Sequence, residues 1–259
     1  MTKLTKNQKE IDGIRKSCRS LAQIMAAIAP LVKPGAQTGD LEKEACRLMK
    51  EAGGRPAFKG YKTHKGAQPF PSALCISINE EIVHGPAIPS RVLREGDIVG
   101  IDVGMNLHGY FSDMARTIAA GRLNDEADHL LKVTWEALNR GLSVIKPGHT
   151  LNDIGTTIQK YVEGNGLSVV RDLVGHGVGL AVHEDPQIPH YDIRLSGLPD
   201  MTLRPGMVLA IEPMVNTGGW EIADKEDGFT FVTADGSLSA QFEDTVLVTE
   251  DGHEILTRL

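Results

Sequence analysis

Apolar residues recur at Ile11, Ile14, Cys18, Leu21, Met25 and Ile28, the three-and-four spacing of one helix face. Thr5-Lys6-Asn7-Gln8 has the form of a capping box opening this helix, and Pro30 with Lys33-Pro34-Gly35 brings it to an end. A second helix follows Thr38 and stops at Gly53-Gly54. A third is capped by Asn124, carries Asp125 and Glu126 in its first turn, and turns Leu131, Trp135, Leu138 and Leu142 inward. Elsewhere the pattern is that of strands: Leu74 to Asn79, Met207 to Ile211, Thr245 to Thr249, and two apolar runs between Asp97 and Ile118. The segment from Arg55 to Pro71, rich in Gly, Pro and aromatics, reads as a long loop, a kind that is usually functional or mobile.

The two runs between Asp97 and Ile118 flank Asn106-Leu107-His108-Gly109, a hairpin signal. With the turn centred between Leu107 and His108, Asp102 falls directly opposite Asp113. Opposed residues on one hairpin face have Cβ atoms roughly 4.5–5.5 Å apart. Carboxylates that close repel, so the pair calls for a cation or for one protonated partner. The plainer reading is two aspartates that cap or solvate strand ends.

The chain also repeats itself. Ile145-Lys146-Pro147-Gly148 matches Val32-Lys33-Pro34-Gly35, and Asp153, Ile154, Ile158, Val162 and Gly166 follow Asp40, Leu41, Ala45, Met49 and Gly53 at the same offset of 113. Leu93-Arg94-Glu95-Gly96 returns as Leu203-Arg204-Pro205-Gly206 at an offset of 110, which sets Glu212 on Asp102. Val83-His84 matches Val182-His183, and Glu243 is the counterpart of Asp113. Three runs in one order, each carrying a carboxylate or histidine to its equivalent, predict two related halves, about 1–122 and 123–259, packed around a pseudo-dyad with acidic side chains meeting at the centre.

Composition narrows the classes. With 259 residues, 41% hydrophobic and 24% charged, the chain suits a folded globule, and no run is apolar enough for a spanning helix. Leu21 to Val32 imitates a signal-peptide core, but Gln23 and Pro30 interrupt it and the helical period runs through it. Cys18, Cys46 and Cys75 fit neither a disulfide framework nor a structural zinc site, so a reducing, cytoplasmic setting is expected. A net charge of −7 gives no footprint for DNA. The basic start (Lys3, Lys6, Lys9, Arg15, Lys16, Arg19) reads as a solvated helix face, with docking to something anionic as the alternative.

Asp102, Asp113, His176, Glu212 and Glu243 make four carboxylates and one imidazole. His176 sits between glycines in Gly175-His176-Gly177-Val178-Gly179, and Glu212 ends a buried-looking strand where an unpaired carboxylate is costly. Two divalent ions would balance four carboxylates, and oxygen-rich ligation with one histidine suits Mn, Fe or Co better than thiolate-type zinc. Ions roughly 3.5–4 Å apart lower the pKa of a water and polarise a carbonyl.

The order and spacing of IDVG, FSD, GHGVG, VHEDP, IEPM and QFED resemble the methionine aminopeptidases of the short, bacterial-like type I class, over nearly the whole chain. Only 35 residues separate His176 from Glu212, with no room for the type II insertion. The resemblance implies an α+β pita-bread fold in one catalytic domain, monomeric, binding two divalent metal ions (Co, Mn, Fe or Zn) and removing the N-terminal methionine of peptides and nascent chains when the second residue is small. It implies that Asp102, Asp113, His176, Glu212 and Glu243 are metal ligands, and that Glu212 also handles a proton. It further implies that His183 donates to the developing oxyanion, that His84 sits near the scissile nitrogen, and that Cys75, Phe70, Phe229 and Gln241 contact substrate. A transient ribosome contact, without DNA or membrane, goes with work on nascent chains. Val83, Val182 and Phe229 depart from familiar bacterial relatives around the pocket. The alternatives are an X-Pro aminopeptidase or prolidase, which usually carries a further N-terminal domain, and a binding protein of the same fold that has lost its metals.

Overall fold

In the computed structural model, residues 3–259 are described. Four helices, α1 (Gln8–Ile28), α2 (Thr38–Glu51), α3 (Asp125–Ser143) and α4 (Leu151–Gly164), cover antiparallel sheets. Helix α1 starts two residues later than Thr5 would place it. Asn7 accepts the Glu10 N–H at 3.0 Å and the Glu10 carboxylate takes the Asn7 N–H at 2.7 Å, a complete capping box. The preceding Lys6 is not part of a solvated basic face: it is buried in an ion pair with Glu184. Arg15 is bonded to Glu254 and the exposed Lys3 to Glu10, and Lys9, Lys16 and Arg19 are exposed as well. Ile14, Cys18, Leu21, Met25 and Ile28 are buried as their period predicts, with Ile11 half-buried. On α3 the inward face runs through Leu130, Thr134, Ala137, Leu138 and Leu142; Leu131 and Trp135 lie at its margin, where the Trp135 ring meets Phe242 edge-on.

The centre of the first half is the hairpin Asp97–Leu107 and Tyr110–Ala120, paired residue by residue from Asp97↔Ala120 to Leu107↔Tyr110. Its turn is therefore His108-Gly109, one residue beyond the expected centre. Both have positive φ, 54° and 92°, as a two-residue type I′ turn requires. Leu107 as a central turn residue would have had to adopt that conformation, which is costly for its side chain. The shift corrects the register: Asp102 lies opposite Ala115 and Asp113 opposite Gly104. The two aspartates are diagonal neighbours on one face.

Strand Leu74–Ile78 pairs along the other edge of Asp97–Leu107, setting Cys75 against Asp102. The long loop after Gly54 contributes only Arg55–Pro56 to this sheet. In the second half a five-stranded sheet runs in the order His253–Ile255, Asp244–Val248, Val208–Ile211, Gly175–Gly177, Glu184–Ile188.

The sequence repeat recurs as a repeated hydrogen-bond pattern. Gly35 donates to Leu93 O and Leu93 to Ala36 O; at equivalent positions Gly148 donates to Leu203 O and Leu203 to His149 O. The bridges Gln37↔Val92 and Thr150↔Thr202 repeat in the same way. One large apolar cluster gathers Leu21, Leu41, Ile76 and Ile101 with their neighbours, and another Leu138, Ile154, Leu209 and Ile211, with Ile98 joining the second. The halves are stitched where Glu243 N donates to Ala115 O at 2.9 Å and Thr117 Oγ1 donates to Gln241 O at 2.7 Å. That seam brings the hairpin of the first half against the last strands of the second.

Candidate metal centre

Five different chain segments deliver the charged groups. Asp102 and Asp113 come from the hairpin, His176 from Gly175–Gly177, Glu212 from the residue after Val208–Ile211, and Glu243 from the link between Ser239–Gln241 and Asp244–Val248. His176 Nδ1 bonds Gly177 O at 2.9 Å, so Nδ1 carries the proton and Nε2 faces the carboxylates. Nε2 is 3.4 Å from Glu212 Oε1 and 3.9 Å from Asp113 Oδ2. Ligand atoms of Asp102, Asp113 and Glu243 lie within 4.8 Å of one another, as do those of His176, Glu212 and Glu243. Glu243 belongs to both groups and joins them.

The electrostatics test that fit. Burial pushes the Asp102 carboxyl up to about 7, and burial followed by the neighbouring acids raises Asp113 and Glu243 well above the carboxylate range. Glu212 is raised by burial and then by Asp102. One oxygen each of Asp102, Asp113 and Glu243 is buried without a hydrogen-bond partner. Nature rarely leaves buried polar atoms unpaired, and three orphaned anionic oxygens aimed at one space are what divalent cations satisfy. An oxygen-dominated set with one imidazole fits such ions.

This centre forms one side of a cavity of about 790 Å³. Phe70, Cys75 and Phe229 line it, and Phe70 and Phe229 meet edge-on at 5.5 Å. Burial raises the Cys75 thiol well above its ordinary value, so it presents a neutral wall. His84 and His183 also line the cavity, His183 with its ring 4.5 Å from that of His176. Both side chains are exposed to the cavity, yet loss of bulk water within it lowers His84 to about 4 and lowers His183 as well, which favours neutral rings that do not repel cations. Gln241 is placed differently from the other expected residues. It is buried behind Glu212, donating to Glu212 Oε2 at 3.0 Å, and is not among the lining residues.

Sequence reasoning missed several contributors. Tyr61, within the loop singled out for its length, sets its ring against His183 at 5.0 Å. Phe231 lies beside His84 at 5.6 Å. The buried His190 accepts the Glu212 N–H at 3.1 Å, fixing the backbone at that carboxylate; a second histidine seven residues after His183 was its only sequence signal.

Residues 12–250 match the family model of metallopeptidase family M24. The chain belongs to that family, among its methionine aminopeptidases. It is 46% identical to methionine aminopeptidase 1 of Bacillus subtilis over 99% of both chains. It is also 46% identical to methionine aminopeptidase B of Synechocystis, covering 96% of this chain and 89% of that one. Among solved structures, a methionine aminopeptidase from Thermotoga maritima superposes with a TM-score of 0.92 and 42% identity over the full length of both chains. A prolidase from Pyrococcus furiosus is more distant, with a TM-score of 0.74 and 27% identity, the match covering 99% of this chain and 66% of that one. These likenesses, with the mixed helices and sheets, establish the α+β pita-bread fold. Membership of a metallopeptidase family and the orphaned carboxylates agree on divalent metal as the cofactor.

Proposed function

We propose that the chain removes the N-terminal methionine from peptides and nascent chains by metal-assisted hydrolysis, preferring a small second residue, as one catalytic domain of two related halves, 1–122 and 123–259. The observation that carries the reading is the juxtaposition of a buried carboxylate and imidazole cluster with an apolar, uncharged wall in a single cavity. Asp102, Asp113, His176, Glu212 and Glu243 would hold two divalent ions of the Mn, Fe, Co or Zn group. Bound there, the ions supply the Lewis acidity that polarises a carbonyl and activates water.

The chain's own residues do the rest. Glu212, with its raised proton affinity and one oxygen fixed by Gln241, takes and returns a proton beside the reacting carbonyl. His183, neutral and held between Tyr61 and His176, donates a hydrogen bond to the developing oxyanion. His84 stands near the scissile nitrogen. Cys75, Phe70 and Phe229 surround an unbranched, polarizable side chain and offer a charged one no partner.

The X-Pro-cleaving alternative is not favoured: identity to methionine aminopeptidases reaches 46%, against 27% to the prolidase. Free Cys18, Cys46 and Cys75 support a reducing, cytoplasmic setting, exposed Lys9, Lys16 and Arg19 support a transient ribosome contact, and the chain would act as a monomer. Among the described residues no helix is long and apolar enough to cross a membrane. Assaying metal-supplemented protein on Met-Ala-Ser and Ala-Pro peptides side by side tests the reading. Release of methionine from the first alone is expected, and cleavage of the second alone would overturn it.

A further inference from the structure

One buried carboxylate takes no part in the cluster described above. Glu81 has a side chain only 3% exposed, yet it does not line the cavity. Its Oε2 accepts the Ile78 N–H at 2.9 Å and Arg91 Nη1 at 2.7 Å, and its Oε1 accepts Arg91 Nη1 at 2.7 Å and Lys225 Nζ at 2.5 Å. Two cations and a backbone amide thus converge on one acid, which is the condition under which a carboxylate is stable without water.

Each of the two cations reaches a different wall of the cavity. Arg91 also donates to Ile76 O at 2.5 Å and Pro86 O at 3.4 Å, clasping the chain on both sides of His84. His84 needs such a clasp. Its φ is 61°, a left-handed conformation that a non-glycine residue holds only when its surroundings impose it. Gly85, next in sequence, lies so close to Ile76 O that a Cβ built there would collide with it and would press on Glu81 Oε2 at 3.2 Å. Lys225 begins the other wall. Its N–H donates to Thr230 O at 2.9 Å, and the Asp227 carboxylate accepts the Phe229 and Thr230 N–H groups at 2.8 Å, so the turn carrying Phe229 is internally fixed and moves as a unit with Lys225. The strand following that turn, Phe231–Thr233, pairs with Glu81–Val83, but the register shifts between Phe231 and Val232. The backbone ladder is irregular where the two walls join, and the Lys225–Glu81 bond spans the irregularity.

We propose that Glu81 is a positioning residue that latches the His84 segment to the Phe229 turn and so sets the width of the methionine pocket between them. The inference rests on the aminopeptidase reading of the cavity. Through Arg91 the latch holds His84 for turnover; through Lys225 it holds Phe229 for side-chain selection. The two ties are separable because the Lys225 side chain is 44% exposed and replaceable without opening the core.

The test compares wild type, Lys225→Met, Lys225→Arg and Glu81→Gln, each metal-supplemented, on Met-Ala-Ser and Leu-Ala-Ser. Lys225→Met is expected to raise KM for the methionine peptide about fivefold with kcat within about twofold, and to narrow the preference over leucine, because only the pocket wall is released. Lys225→Arg should restore both. Glu81→Gln, which releases both walls, should lower kcat about tenfold as well. Hydrogen exchange gives a readout independent of turnover: the amides of Phe229 to Phe231 should exchange faster in Lys225→Met. Unchanged KM, selectivity and exchange in Lys225→Met would overturn the latch, even where Glu81→Gln fails to fold. Wild type inactive on both peptides would overturn the aminopeptidase reading instead, and the exchange experiment would still decide the latch.

Discussion

The Lys6 ammonium and the Glu184 carboxylate bond to each other out of reach of water, with side chains 1% and 3% exposed, and Glu184 is the residue that follows His183. The other oxygen of Glu184 accepts the Leu180 and Ala181 N–H groups at 2.5 and 2.7 Å, so one acid both folds the loop leading to His183 and ties it to the segment before α1. Removing one partner of a buried ion pair leaves an uncompensated charge, at a cost of about 3–5 kcal/mol. Lys6→Met should therefore lower the urea midpoint and kcat together, and Glu184→Gln added to it should recover much of the stability. An unchanged midpoint in Lys6→Met would show that the pair does not support the loop.

The acidic cluster predicts an unusual pH response in chelator-treated protein. Asp102, Asp113, Glu212 and Glu243 all have folded proton affinities raised above their unfolded values, Asp102 to about 7. The folded state therefore holds protons that the unfolded chain has released, and stability falls as pH rises. His176, at about 3, His84 and His190, at about 4 and about 3, and His183 act in the opposite sense, but their effect on the slope fades as the unfolded imidazoles lose their protons through about 6.5 and is nearly spent only by about pH 8. From pH 7 to 8 the four carboxylates outweigh the few protons that the unfolded imidazoles still hold. The urea midpoint with chelator should drop over that interval, and divalent metal should abolish the drop by taking the place of the protons. Asp113→Asn should flatten the slope while abolishing turnover; a midpoint that climbs with pH in chelated wild type would contradict the account.

His183→Ala separates donor from ligand. Loss of one oxyanion donor costs about 10²–10³ in kcat. Metal content, measured by elemental analysis, should stay near wild type because His183 is proposed as a donor. Depletion of metal would mean that it binds an ion, which its ligand atom is close enough to His176 and Asp113 to do.

Substrate choice tests the cavity mouth. The chain beyond the first residue must leave past His84 and His183, whose rings are flanked by Phe231 and Tyr61. Displacing the carbonyl by about 1 Å can cost roughly 10²-fold. Met-Ala and Met-Ser peptides should be cleaved, Met-Lys and Met-Phe hardly, and Lys-Ala not at all. Equal kcat/KM for Met-Ala, Leu-Ala and Lys-Ala would replace the methionine pocket with a general aminopeptidase site.

Helices were legible because their signals are local, whereas the grouping of the site residues was legible only through the internal repeat and the family resemblance. Asn124 caps α3 as its sequence position suggests, and the buried positions of α1 follow the period from Ile14 to Ile28. The hairpin register was misread because its turn was centred by composition, whereas positive φ at His108 and Gly109 decides it. The diagonal placement that results still puts Asp102 and Asp113 on one face. Glu81, Lys225, Lys6 and Glu184 gave no signal, since their partners lie 144 and 178 residues away and no periodicity reports a pair so distant. The α1 capping box was read two residues early because Thr5-Lys6-Asn7-Gln8 has the same form as Asn7-Gln8-Lys9-Glu10, which caps the helix.

Those separations bear on how the protein is made. Helix α1 is among the first segments synthesised, yet Ile14 and Cys18 pack against Val208, Ala210, Leu247 and Leu256, and Arg15 bonds Glu254. Until those late strands emerge, the Ile14 and Cys18 end of the α1 apolar face lacks its cover, while Leu21 to Ile28 already pack with α2 and the hairpin. Contacts so far apart in sequence form slowly and leave such faces open to aggregation meanwhile. The same delay keeps Asp102 and Asp113 apart from Glu243 until nearly the whole chain is available, so the acidic cluster assembles only at the end of synthesis.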